Sequence, residues 1–307
     1  MNLLVGATGF VGGHLVEYLF QQGEISKGIF RKGSHLKIMD TSGVQGLEAD
    51  LMDHHSLHEA MEGVDSVYNL VSPMPDSDSD FLPPNTEGLL NLLEAAAETK
   101  VKTFVHLSTL DVYGFGKREV DSSAPLDPSN EYQKSKAEAD RLLMEFGKRN
   151  SLPRVAIIRS SKAVGSRDGS LVVPILKMIR VGKVVLPSGG RMSFSHPRDI
   201  SQAMFKASTV SLPTGRVFLL KSFDSTPEEL ARGVIGATGG KAEVKRQGFL
   251  SSTALPRYAT EQIRASVVIP DQPSWSELGY KPTYGLASTC EEIANWYKKE
   301  PWVAEEN

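Results

Sequence analysis

Through its first half the chain alternates short β-branched, apolar runs with longer stretches of helical apolar spacing. Residues 2–5, 25–31, 44–49, 66–70, 103–107 and 155–159 read as strands, with helix patterns between them. Such alternation predicts an α/β fold built on a doubly wound, parallel Rossmann sheet. The clearest crossover helix is 82–99, where Leu89, Leu90, Leu92, Leu93 and Ala96 make one broad apolar face after the pair Pro83-Pro84.

Beyond about residue 165 the alternation weakens. Loops are expected at 166–170 and 187–192, and a capped helix at Thr226-Pro-Glu-Glu229, where Pro227 suits the first turn. Residues 1–165 therefore read as the main domain and 166–307 mainly as a smaller α+β substrate-binding lobe. A helix at 199–208 and a strand at 217–220 return to the main sheet, so the two are interleaved near 197–222. Pro, Ser and Asp crowd 72–80, which predicts a mobile loop after a strand.

Composition narrows the function. The chain has 307 residues, enough for a large core, and a net charge of −3 with no long basic run, so the electrostatic footprint of nucleic-acid binding is missing. One cysteine, Cys290, excludes an internal disulfide framework and points to a reducing, cytoplasmic setting. The start of the chain lacks the basic and apolar regions of a signal peptide, and no apolar run reaches membrane-spanning length. A small-molecule partner is the expectation, with no metal site.

Two motifs carry chemistry. Gly6-Ala-Thr-Gly9-Phe-Val-Gly12 follows the first strand and opens the first helix, where glycines let a pyrophosphate approach helix-terminal N–H groups. In the better-known dinucleotide fingerprint, a carboxylate some 20 positions later receives the ribose hydroxyls. Here the second strand ends Phe30-Arg31-Lys32. Two cations in that place favour the 2′-phosphate of NADP over the free hydroxyl of NAD; the competing reading is a pair of solvated surface charges.

The second motif is Tyr132-Gln-Lys-Ser-Lys136, after a Pro-Ser-Asn stretch able to cap a helix and before helical apolar spacing at Ala139, Leu142, Leu143 and Phe146. A phenol ionising near about 10 is a poor base, and a nearby ammonium would lower that value. A second such spacing, Tyr113-Gly-Phe-Gly-Lys117, contains two glycines and reads as loop. Ser108-Thr109 at a strand end strengthens the first pair, since a hydroxyl there can bond a substrate oxygen; taken alone, Thr109 is expected to bond its own backbone.

Together these segments resemble the extended short-chain dehydrogenase/reductase family, of the NAD-dependent epimerase/dehydratase type. The resemblance extends through Ala49-Asp50-Leu51, the 85–96 segment beginning at Asn85, Leu107-Ser-Thr-Leu-Asp-Val-Tyr-Gly114, 159–165 and Leu278-Gly-Tyr-Lys-Pro282. It implies Gly6, Gly9, Phe10, Val11 and Gly12 beside the pyrophosphate, Arg31 and Lys32 near the adenosine ribose, and Asp50 and Leu51 near the adenine. Leu70, Val71, Ser72, Asn85 and Ser161 would complete the cofactor site. Thr109 takes the family's catalytic hydroxyl position, Tyr132 the general acid/base, and Lys136 the residue that binds the nicotinamide ribose and tunes the tyrosine. A homodimer through the helices bearing 89–96 and 132–146 is also implied.

Two departures narrow the reaction. Dehydratases of the family carry Thr-Asp-Glu where this chain has Thr109-Leu110-Asp111; Leu110 cannot protonate a leaving group, and Asp111 reads as a turn former. The arginine that contacts a nucleotide-sugar diphosphate aligns with Met192, one place from Arg191, and a one-residue slip in a strand would flip the side chain. The expected function is hydride transfer at a secondary alcohol or ketone, by a nucleotide-sugar 4-epimerase or an NADPH-dependent ketone reductase. The competing class is a non-catalytic dinucleotide sensor.

Overall fold

The computed structural model describes residues 1–31, 43–72, 82–116, 119–149, 152–247, 253–272 and 274–304. Lys32, Lys117 and 73–80 of the expected loop lie outside the described residues.

Seven parallel strands form the main sheet: β1 (Asn2–Val5), β2 (Ser26–Phe30), β3 (Gln45–Glu48), β4 (Ser66–Asn69), β5 (Thr103–Thr109), β6 (Arg154–Ser160) and, returning from later in the chain, Arg216–Leu220. The returning strand pairs in parallel with β6, Val217 opposite Ile157. Side chains alternate between faces as strand geometry requires. Leu4, Tyr68, Val105, Ala156 and Phe218 enter one apolar core with Leu15 and Leu19 of helix Phe10–Gln21. Leu3, Val5, Val67, Phe104 and Ile157 enter the opposite one with Leu89, Leu92, Leu93 and Ala96. Burial on both faces explains why these strands read as continuous apolar runs.

β1 lies between β2 and β4. The chain winds outward from it in both directions, so the carboxyl ends of β1 and β4 flank the crevice where doubly wound sheets bind ligands. The expected helix 82–99 is divided. Pro83 and Pro84 lie inside a short helix, Leu82–Asn85, rather than ahead of it, and Glu87–Glu98 starts anew after Thr86. Prolines are tolerated there because first-turn N–H groups have no helical partner.

The remaining strands are β7 (Lys162–Ala163), β8 (Lys183–Leu186), β9 (Met192–Ser195), β10 (the returning Arg216–Leu220), β11 (Phe223–Ser225) and β12 (Glu243–Arg246). β11, β9 and β7 form one small sheet and β12 pairs with β8. Helix Pro227–Thr238 opens with the capping box anticipated at Thr226 and Glu229. Leu176, Phe194, Leu230 and Ile293 lie in a separate apolar core under these strands. No described helix is long and apolar enough to cross a membrane.

Candidate active site

The glycine turn closes tightly between β1 and helix Phe10–Gln21. Gly6 has φ +92°, a left-handed conformation, and a Cβ there would come within 3.1 Å of the Leu70 carbonyl carbon. At Gly12 a Cβ would lie 2.0 Å from the Gly6 oxygen. Gly9 caps the helix without any side-chain hydrogen bond, and no acidic residue occupies the first turn. The helix therefore presents uncapped N–H groups, and the positive end of its dipole, beside Phe10 and Val11. That arrangement fits a dinucleotide pyrophosphate.

Leu70, Val71 and Ser72 leave β4 directly against this turn. Arg31 is exposed just past β2, and Asp50, exposed after β3, accepts from the Met52 N–H at 2.9 Å. Leu51 packs near Gly88, and its carbonyl accepts from Asn91 at 2.8 Å. Asn85 is buried and donates to Ser135 at 3.1 Å, joining the short proline-containing helix to helix Glu131–Arg149.

Helix Glu131–Arg149 is capped as the sequence suggests, the Asn130 side chain accepting from the Gln133 N–H at 2.9 Å. Its axis is pinned where it crosses the sheet: Arg159 of β6 donates to Asp140 at 2.8 Å and to the Tyr113 hydroxyl at 2.7 Å, all three buried. Lys136, one turn before Asp140, is only 1% exposed. Its ammonium donates to the Leu107 carbonyl at 3.0 Å and lies 3.3 Å from His106 Nε2. Burial pulls Lys136 down to about 8, with Asp140 opposing the shift. Burial and the Lys136 charge hold His106 well below its ordinary value, so the imidazole is neutral and can accept from the ammonium.

Tyr132 is half-buried and its hydroxyl lies 3.4 Å from that of Ser72, which donates to it. Its pKa is raised, first by burial and then by Asp111, with the Ser72 bond opposing. The Lys136 ammonium is directed at the Leu107 carbonyl and His106. Thr109 ends β5, and its hydroxyl accepts from the Asp111 N–H at 3.1 Å, the backbone bond expected of it when taken alone. Tyr113 closes a turn of 3₁₀ helix, Leu110–Tyr113, and its hydroxyl belongs to Arg159.

Asp111 takes part in that turn, its carbonyl accepting from the Gly114 N–H at 2.9 Å, and its side chain reaches beyond it. Its Oδ2 accepts from the Tyr258 hydroxyl at 2.8 Å and from Gln262 at 2.7 Å, both on helix Arg257–Ala265. Tyr258 packs edge-on against Tyr132, ring centroids 5.0 Å apart at 74°. Sequence reasoning missed Tyr258, Gln262 and His106. Spacing of four places Tyr258 and Gln262 on one helix face, yet nothing local says what that face meets.

A small cavity of about 20 Å³, partly open to solvent, adjoins this cluster, lined by Leu110, Asp111, Phe115, Ser161, Met192 and Gln262 among others. Ser161 is buried and its hydroxyl shares a 2.8 Å bond with Ser195. Met192 faces the cavity, whereas Arg191 is exposed and acts electrostatically on Glu229.

Comparisons agree with this fold. The crystal structure of UDP-glucose 4-epimerase from Thermotoga maritima, with UDP-glucose, superposes with a TM-score of 0.84 at 19% identity, covering 98% of this chain and 100% of that one. The Escherichia coli O157:H7 N-acetyl-alpha-D-glucosaminyl-diphospho-ditrans,octacis-undecaprenol 4-epimerase is 32% identical over 192 residues, 61% of this chain and 56% of that protein, so the match spans little more than half of that relative. A Stigmatella aurantiaca 4-hydroxy-2-methyl-3-oxo-4-farnesyl-3,4-dihydroquinoline-1-oxide ketoreductase is 25% identical over 277 residues, 87% of this chain and 81% of that protein. The model of the NAD dependent epimerase/dehydratase family matches residues 2–220. With the glycine turn, the doubly wound sheet and that match in agreement, the chain belongs to the NAD dependent epimerase/dehydratase family.

Proposed function

We propose that the chain is a nicotinamide-dinucleotide oxidoreductase that reduces a ketone, or oxidises the matching secondary alcohol, in a small molecule without a diphosphate. The observation that carries the reading is the buried Lys136 ammonium, held against the Leu107 carbonyl on the same helix as a tyrosine beside Ser72. A desolvated cation with no carboxylate hydrogen-bonded to it among the described residues is costly, and such groups concentrate at functional sites.

A bound dinucleotide would supply or accept the hydride at the carbonyl carbon. Glycines 6, 9 and 12, with Phe10 and Val11, would hold its pyrophosphate, Leu70, Val71, Ser72 and Asn85 would line its site, and Lys136 would donate to the nicotinamide ribose. In reduction, the Tyr132 hydroxyl would give its proton to the carbonyl oxygen and Thr109 would hydrogen-bond the same oxygen. Solvent then reprotonates Tyr132.

Met192 on the cavity wall and the outward Arg191 support the reductase over a nucleotide-sugar epimerase, because a diphosphate held without a facing guanidinium loses its main counter-charge. Arg31 past β2 supports NADP, while the family description names NAD. The protein also works as a homodimer in this reading, as the family resemblance implies.

Mass spectrometry of whatever dinucleotide freshly purified protein releases on denaturation tests the proposal, followed by titration with NADPH and NADH. An empty site that prefers NADPH is expected. Retained NAD favours the epimerase, and failure to bind either dinucleotide removes the proposal.

A further inference from the structure

One face of β5 changes character along the strand. Phe104 packs in the apolar core beside Leu89, Leu92 and Leu93, with Val67 of β4 and Ile157 of β6. Two residues on, strand alternation returns His106 to the same face, opposite Asn69 and Ile157 in the ladder. His106 is 0% exposed, and an imidazole taken out of water is costly unless its nitrogens are hydrogen-bonded. Packing alone would be better served by an apolar side chain. Its Nδ1 has no partner among the described residues, and its Nε2 meets the Lys136 ammonium at 3.3 Å.

An ammonium has three N–H donors and no acceptor. At Lys136 the Leu107 carbonyl receives one of them at 3.0 Å and His106 a second, and among the described residues no third acceptor is engaged. Both acceptors belong to β5, which is hydrogen-bonded to β4 on one side and β6 on the other. The tip of a long, rotatable side chain is thereby tied at two points to a rigid strand. Burial and the Lys136 charge keep the imidazole neutral, which leaves Nε2 free to accept.

We propose that His106 is a positioning residue: by accepting one N–H of Lys136 while the Leu107 carbonyl accepts another, it holds the remaining N–H for the nicotinamide ribose of the dinucleotide. The inference rests on the role given to Lys136 above. His106 then acts on the dinucleotide only through Lys136, so its removal should cost nothing once the ammonium is gone.

The test is a double-mutant cycle on the full-length protein, with dinucleotide affinity read by fluorescence titration with NADPH, or with NADH if the parent binds that more tightly. His106→Leu is expected to weaken binding by about tenfold in the parent and by less than about twofold in a Lys136→Met background. His106→Gln, whose side-chain oxygen can stand where Nε2 stands, should recover most of the loss. His106→Phe, which keeps a flat ring without an acceptor, takes its place in the cycle if the leucine variant does not fold. The same loss in both backgrounds, or no loss in the parent, overturns the inference while leaving the role of Lys136 intact. Failure of that role has a different signature, and carries the inference down with it: Lys136→Met alone would bind the dinucleotide as tightly as the parent.

Discussion

The two halves of the site are held by different means. The half at the carboxyl edge of the sheet, Gly6–Gly12, Leu70–Ser72, Thr109 and the Tyr132–Lys136 turn, is positioned by strand ends, a glycine turn and one capped helix. The other half, Met192, Tyr258 and Gln262, arrives from the smaller lobe through contacts such as Tyr258 to Asp111, 147 positions apart. In the proposed function the first half binds the dinucleotide and moves the proton, while Met192 and Gln262 of the second line the cavity beside it. On that proposal chemistry and substrate choice are separable, and substitutions in each half should fail in different ways.

The largest effect is expected in the sheet half. Tyr132→Phe removes the proton donor and little else, so turnover should fall by about 10²- to 10⁴-fold while dinucleotide affinity, measured by fluorescence titration, stays near that of the parent. A matched loss of both would mean that Tyr132 holds the cofactor rather than the reacting oxygen.

Lys136 makes the same half costly to fold. Its folded-state value, about 8 against 10.5, is depressed, so below pH 8 the ammonium is charged in both folded and unfolded chains and its burial penalty is fully present. Between those values the unfolded chain binds more protons, and stability rises with pH. Lys136→Met should therefore stabilise the protein at pH 7, by on the order of 2 kcal/mol after the lost hydrogen bond is subtracted, and should abolish that part of the pH dependence. Urea denaturation at pH 7 and pH 10 measures both; a variant less stable than the parent at pH 7 contradicts the account.

In the lobe-facing wall the signature should be the reverse of Tyr132→Phe. Phe115→Ala removes an apolar contact from the cavity and is expected to raise KM by about tenfold with dinucleotide affinity unchanged. A fall in dinucleotide affinity would join the two halves. The smallest effect belongs to Arg31→Ser: an exposed charge contributes about 1 kcal/mol, so the preference for NADPH over NADH should drop by about fivefold.

The same division decides what was legible in the sequence. Gly6, Gly9 and Gly12 declare themselves because only glycine permits that turn, and Tyr132 with Lys136 because a spacing of four means one helix face. β1, β5 and β6 were legible because burial on both faces leaves apolar runs, whereas the short strands β7, β8, β9, β11 and β12 gave no such run. The direction of the Lys136 ammonium was not, since it depends on the Leu107 carbonyl and on His106 in a neighbouring strand. At Asp111 the turn was legible but the distant partners were not, because Tyr258 and Gln262 lie on a helix that begins at Arg257.

The most direct test of hydride transfer uses NADPH deuterated at the reactive carbon of its nicotinamide ring, incubated with a panel of alicyclic and aliphatic ketones and read by mass spectrometry. The account predicts an alcohol one mass unit heavier from the parent protein and almost none from Tyr132→Phe. Labelled alcohol formed equally well by both proteins, or by neither, would contradict it.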